Sequence, residues 1–295
     1  MVGSFEDGEE ASDCEALPQG ASRMTGVPLI VAAALAGLLI GSFLNVCVFR
    51  LPRDLSVVQP RSFCPGCEKP IAWYDNIPLL SFALLGGRCR HCRERIPWRY
   101  PLVELSTAVA FGLCFAAFGW SGQGAKYAVL SAILIALVAS DMEARILPDE
   151  LTLGGTLAGL AFALFVPMEA YIVAYLVPAS YAPRWHWLAE SAFAALIGSG
   201  AIWLVAFLYE KFRHKEGMGL GDVKMIAMIG AFLGLRWSLL TLMLASLAGA
   251  VGGLIYIKAA RKDSSTYELP FGSFLGGTAL VLVMWTQVWP ALRGH

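Results

Sequence analysis

The chain has 295 residues, of which 57% are hydrophobic and only 15% charged, with a mean hydropathy of +0.63. Soluble domains average about 25% charged residues, so the apolar excess is too large for one water-facing fold and must face lipid. The 22 basic and 22 acidic side chains cancel, which gives no support to a polyanionic partner such as nucleic acid.

Residues 1–24 are acidic, with Glu6, Asp7, Glu9, Glu10, Asp13 and Glu15 among Gly and Ser. They lack the basic start of a secretory signal and are expected to form a disordered external tail ahead of a retained helix over 25–49. Apolar runs then follow at roughly 27–49, 102–120, 126–140, 151–167, 188–209, 222–235, 237–257 and 268–289. A spanning helix needs about 20 such residues, or about 17 at the least. The run 126–140 qualifies only by extending past both ends, and 222–235 is short and Gly-rich. The fold class expected is an all-α polytopic membrane protein of about eight transmembrane helices, with a small zinc-binding loop domain over 50–100 and the remaining spans over 101–295.

Basic residues orient the bundle. With the N-terminus outside, 17 of the 22 Lys and Arg residues fall on the cytoplasmic side, nine of them between Arg50 and Arg99. The Pro- and aromatic-rich stretch 168–187 then becomes an external loop.

The loop 50–100 carries Cys64-Pro-Gly-Cys67 and Cys89-Arg-His-Cys92. Each pair can form a turn that aims two thiolates at one tetrahedral centre, and two such turns close a structural zinc site. The cytoplasm disfavours disulfides, and a loop with little core of its own would gain folding free energy from the metal. His91 could replace one thiolate. Cys14, Cys47 and Cys114 have no partner by spacing.

Carboxylates at a membrane edge are costly and are functional candidates for that reason. Asp141 ends the run 126–140, and Asp222 begins the run 222–235 after Gly217-Met-Gly219-Leu-Gly221. The topology puts both at one depth on the cytoplasmic side. Two carboxylates that meet share a proton, so one can act as base on a water while the other polarises a carbonyl. That is the chemistry of aspartic proteolysis. Gly219 and Gly221 would let a peptide backbone approach closely. The plainer alternatives are a cap for Asp141 and an N-cap for Asp222. N-capping is the reading preferred for Asp149, solvation for Glu143 and Glu150, and pairing with a carboxylate or a lipid phosphate for Lys224.

The ordered motifs resemble the type IV prepilin peptidases, bifunctional leader peptidases and N-methyltransferases. They are Gly41-Ser-Phe-Leu-Asn45-Val-Cys-Val-Phe-Arg50-Leu-Pro52, Trp73-Tyr-Asp75-Asn76-Ile-Pro78, Gly86-Gly87-Arg88-Cys89, Arg99-Tyr100-Pro101-Leu-Val-Glu104, Asp141 with Pro148-Asp149, and Gly219-Leu-Gly221-Asp222. The resemblance implies an inner-membrane enzyme with Asp141 and Asp222 as its catalytic pair. Gly219, Gly221 and Lys224 would belong to the peptidase loop, and the four cysteines to a methyltransferase-associated loop. The substrate would be a prepilin or a type II secretion pseudopilin, cut after a short basic leader and then methylated from S-adenosylmethionine. Asn45, Arg50, Asp75, Asn76, Gly87 and Glu104 are the polar or special residues near that loop that could build a donor or substrate pocket, or be structural. Two readings compete: a peptidase whose zinc loop is only a scaffold, and a non-enzymatic transporter or scaffold.

Overall fold

The computed structural model describes residues 26–176, 178, 180–213, 219–260 and 270–293. The 1–24 tail, and Gly217 of the glycine run before Asp222, lie outside the described residues. Helix α1 (Val27–Arg50) leads into the loop, which holds the short α2 (Leu80–Leu84). There follow α3 (Arg99–Phe118), α4 (Gly122–Ala144), α5 (Asp149–Ala163), the one-turn α6 (Val173–Leu176) and α7 (Pro183–Arg213). The chain then forms α8 (Leu220–Leu233), α9 (Leu235–Ala260) and α10 (Phe271–Val283), which passes through a π-turn into α11 (Trp289–Arg293). The described residues contain no strand; two isolated bridges lie in the loop.

Among the described residues, six helical segments are long and apolar enough to cross a membrane, against the eight expected. The run at 126–140 does extend, to 23 residues from Gly122 to Ala144. The two that fall short are α5, with 15 residues, and α8, with 14. At 1.5 Å per residue they are about 22 and 21 Å long, against a hydrocarbon core of about 30 Å. The chain is a multi-pass membrane protein with two shorter helices, of which α8 is enclosed by the bundle.

Burial explains why α8 can be so short. Met225, Met228, Ile229 and Phe232 have no exposed surface, and α8 lies among α5, α7, α9 and α10. A helix apolar all round is a buried helix, and α8 has protein rather than lipid on its sides. A Cβ on Gly230 would lie 2.7 Å from the Ala194 carbonyl oxygen of α7, so the two backbones meet directly. The outward faces of α1, α7 and α9 carry exposed Leu35, Leu39, Leu196, Trp203, Met243, Leu247 and Leu254. These are the lipid-facing stripes that the composition demanded.

Helices α1 and α3 pack antiparallel with small residues at the seam, the usual device where lipid offers no hydrophobic drive. A Cβ on Gly37 would lie 2.8 Å from Ala108 Cα, and one on Gly41 2.7 Å from Glu104 Cα. One turn further, Asn45 Nδ2 donates to the Tyr100 carbonyl at 3.0 Å. The register of this helix pair fixes how the loop between them is mounted. At the other end of the bundle, the fully buried Glu190 of α7 accepts from the backbone N–H groups of Tyr171, Val173 and Leu235. It ties the stretch before α6, expected only as an external loop, to the start of α9.

Candidate active site and metal centre

Asp141 sits three residues before the end of α4 and is 5% exposed. The helix stops because Arg145 takes a left-handed conformation (φ 54°) and its N–H bonds back to the Asp141 carbonyl at 3.0 Å. Ser140 Oγ donates to the Ile146 carbonyl at 2.7 Å, which folds the following turn under the helix. The Asp141 carboxylate faces the start of α10. Its Oδ2 accepts from the Ser273 backbone N–H at 2.5 Å and from the Ser273 hydroxyl at 2.7 Å. A carboxylate in the first turn of a helix also meets the positive end of the helix dipole.

Asp222 is the third residue of α8 and is 9% exposed. Gly219 is the N-cap of this helix, so Asp222 is not. Leu147 joins the two acidic elements: a Cβ on Gly221 would lie 3.1 Å from its Cβ, and one on Gly272 3.0 Å from its Cδ1. The Gly272 position would also crowd the Asp141 carboxyl at 3.2 Å, so α10 can begin there only without a side chain. The two aspartates chosen from sequence, 81 residues apart in the chain, thus stand on elements that pack against one shared residue, Leu147.

The neighbouring acids differ from expectation. Asp149 opens α5 but caps nothing with its side chain; the N-cap is Pro148. Its carboxylate instead takes Lys224 Nζ at 2.7 and 2.8 Å, linking the starts of α5 and α8. Glu143, expected to be solvated, pairs with Arg53 at 3.4 Å and with Arg99, and so pins the end of α4 to the loop and to α3.

The four loop cysteines converge, with all Sγ atoms within 4.8 Å of one another. Tetrahedral zinc with bonds of about 2.3 Å places its sulfurs about 3.8 Å apart, and Cys64 Sγ lies 3.7 Å from Cys92 Sγ. The two Cys-x2-Cys turns are copies of one another. In the first, Glu68 N–H bonds to the Cys64 carbonyl at 2.8 Å and Cys64 N–H to Lys69 at 3.0 Å. In the second, Arg93 N–H bonds to Cys89 at 3.1 Å and Cys89 N–H to Glu94 at 2.8 Å. Glu68 and Arg93, at equivalent places, both have positive φ. The backbone N–H groups of Cys92 and His91 draw the Cys89 thiol down to about 7, while desolvation and the neighbouring thiols hold Cys64 and Cys92 above the usual thiol range. The donor set fits a metal ion, and His91 stands outside it.

Between this loop and the ends of α1 and α3 lies a cavity of about 610 Å³. Asn45, Arg50, Asp75, Asn76 and Glu104 line it, as do His91 and Glu143; Gly87 does not. Gly87, at φ 66°, closes the turn after α2 with its N–H on the Phe82 carbonyl at 2.8 Å. Arg50 is 5% exposed and holds the loop by donating to the Ser56 and Pro60 carbonyls at 2.8 and 2.6 Å. Asp75 receives Arg90 through both oxygens, at 2.8 and 2.6 Å, and these bonds hold its carboxyl below the usual carboxylate range. Glu104 accepts the Leu79 N–H at 2.8 Å.

Two family models match the chain. The Bacterial Peptidase A24 N-terminal domain covers residues 35–118, and the Type IV leader peptidase family covers 128–254. The first takes in the α1–α3 pair and the cysteines, the second both aspartates. A protein of Myxococcus xanthus named prepilin leader peptidase/N-methyltransferase is 38% identical over 80% of this chain and 67% of its own length. Proteins of the same name from Pseudomonas aeruginosa and Burkholderia pseudomallei are 33% and 34% identical. They cover 87% and 97% of this chain, and 90% and 95% of their own lengths. No solved structure matches. With identities at this level over nearly whole chains, this protein belongs to the type IV leader peptidase family.

Proposed function

We propose that this chain removes the leader peptide of a type IV prepilin or type II secretion pseudopilin and then N-methylates the new terminal residue, with S-adenosylmethionine as donor. The observation that carries the peptidase half is the packing of the Asp141 and Asp222 elements against one Leu147, with Ser273 bound to Asp141, at the loop-bearing end of the bundle. Their places, near the end of α4 and the start of α8, also count against an ion carrier, whose carboxylates belong near the midplane.

In this reading Asp141, held by Ser273, is the ionised member, and Asp222 carries the proton the pair shares. Asp141 takes a proton from a water as the water oxygen bonds to the scissile carbonyl carbon. Asp222 gives its proton to the carbonyl oxygen. When the tetrahedral intermediate collapses, Asp141 returns a proton to the leaving nitrogen and the diol returns one to Asp222. Gly219 and Gly221 leave the backbone beside Asp222 open to an extended peptide. Lys224, paired with Asp149, fixes the start of α8 against α5.

Cys64, Cys67, Cys89 and Cys92 would hold zinc, which closes the loop structurally and leaves no open coordination position. The donor, when bound, supplies the methyl group. Asn45, Asp75, Asn76 and Glu104 face the cavity that would take it, and Arg50 holds one wall. Residues 50–100, with the ends of α1 and α3, form the methyltransfer region, and 101–295 the peptidase region. The protein lies in the bacterial inner membrane, N-terminus outside, with the loop and both aspartates on the cytoplasmic face, as the Lys and Arg distribution supports.

Detergent-solubilised protein incubated with a prepilin and methyl-labelled S-adenosylmethionine tests this directly. A shortened pilin carrying the label is the expected product. Shortening without label leaves a peptidase only, and neither event overturns the proposal.

A further inference from the structure

The cavity walls can be sorted by which polar atoms still have a free bond to give. Arg50 is committed to the carbonyls of Ser56 and Pro60, and Asp75 to both donor edges of Arg90. Glu143 is committed to Arg53 and Arg99. Two acceptors differ. Asn45 is 2% exposed, and its Oδ1 has no partner among the described residues. The amide orientation is fixed, because Nδ2 must face the Tyr100 carbonyl; turning it over would set two acceptors against each other. Glu104 is 8% exposed and takes the Leu79 N–H, against about four acceptor positions on a carboxylate.

These two acceptors are neighbours by helix register. Asn45 meets Tyr100, which is one turn before Glu104 on α3, while Gly41, one turn before Asn45 on α1, meets Glu104 itself. One helical turn is about 5.4 Å along the axis, so the two residues stand on the same stretch of cavity wall. Asn45 lines the cavity, and a donor presented from there is one way to satisfy its unpaired oxygen. Beside it, a carboxylate makes a positive donor the better match. An ammonium has three donors and no acceptor, which is the complement of this pair.

We propose that Asn45 and Glu104 form the seat for a primary ammonium, the α-amino group of a ligand held in the loop cavity. This rests on reading the chain as a methyltransferase. Two ligands of that reaction carry such a group: the amino-acid end of the methyl donor, and the new N-terminus of the cleaved pilin.

The test uses the full-length, zinc-loaded protein in detergent, with Glu104→Gln, which keeps shape and removes charge, and Asn45→Ala. Dissociation constants are measured for S-adenosylhomocysteine, which has the amino-acid end, and for methylthioadenosine, which lacks it. They are also measured for a mature-pilin N-terminal peptide, free and N-acetylated. A seat for the donor weakens S-adenosylhomocysteine about tenfold or more in each variant and leaves methylthioadenosine unchanged. A seat for the pilin weakens the free-amine peptide to the level of the acetylated one and leaves both nucleosides unchanged. Changes below about twofold for S-adenosylhomocysteine and the free-amine peptide, or equal weakening of all four probes, overturn the proposal. Glu104→Gln alone decides the matter if Asn45→Ala fails to fold. A wild type that binds no S-adenosylhomocysteine and incorporates no methyl group defeats the methyltransfer reading itself, a result seen before any variant is made.

Discussion

Ser273 donates to Asp141 twice, from its backbone N–H at 2.5 Å and from its hydroxyl at 2.7 Å, across 132 residues of sequence. The contact makes α10 part of the candidate peptidase site, although α10 contributes no carboxylate. In the proposed mechanism it breaks the symmetry of the pair, with Asp141 held as an acceptor and the shared proton left to Asp222.

Ser273→Ala removes the hydroxyl and keeps the backbone donor. A hydrogen bond to a charged group contributes about 1.5–3 kcal/mol, so kcat for leader cleavage should fall about tenfold or more, with KM unchanged. Ser273→Thr should recover most of it. Equal losses in both variants would mark Ser273 as a packing residue only.

Cys89→Ser should lower bound zinc to well under one ion per chain and make the 50–100 loop sensitive to limited proteolysis. Chelation of the wild type should reproduce the sensitivity, and added zinc should reverse it. A loop equally resistant with and without metal would contradict the structural role of the four thiolates.

Gly41→Ile should destabilise the α1–α3 pair. A side chain there meets the backbone of Glu104 rather than a flexible tip, since the Cβ alone would lie 2.7 Å from its Cα. Overpacking of this kind costs about 1–3 kcal/mol, readable as a lower Tm in detergent. Gly154→Ala, on α5 with open space around its Cβ position, should leave Tm unchanged.

Much of this arrangement is legible in the sequence, and the reasons differ by residue. The paired cysteines declare themselves because metal-binding turns are local. Asp141 and Asp222 stand out because charge at the edge of an apolar run is expensive. The run 151–167 counts as a full span where α5 has 15 residues, and the shortness of α8 is already visible in its run; apolar content does not reveal that protein encloses α8. Ser273 carried no signal: a serine in an apolar run gains its meaning only from a partner 132 residues away. Asp149 was misassigned for the same reason, its basic partner Lys224 being distant in the chain. Gly87 looked like a pocket residue because it sits among the motif residues, but its positive φ serves a turn.

Lys224 and Asp149 form an exposed pair, with side chains 32% and 56% accessible. Exposed pairs contribute about 0–1 kcal/mol, so Asp149→Ala should lower Tm only slightly and leave prepilin cleavage within about threefold of wild type. A dead Asp149→Ala would transfer the catalytic role from Asp141 to Asp149.

The most direct test of the aspartate pair is cleavage of one prepilin, in detergent, by the wild type, Asp141→Ala and Asp222→Ala, each shown to be folded by its melting profile. Loss of cleavage in both variants, by at least about a thousandfold for groups that act as one unit, is the result expected of the pair. Cleavage retained by a folded Asp222→Ala would contradict it and remove the two-carboxylate mechanism from this protein.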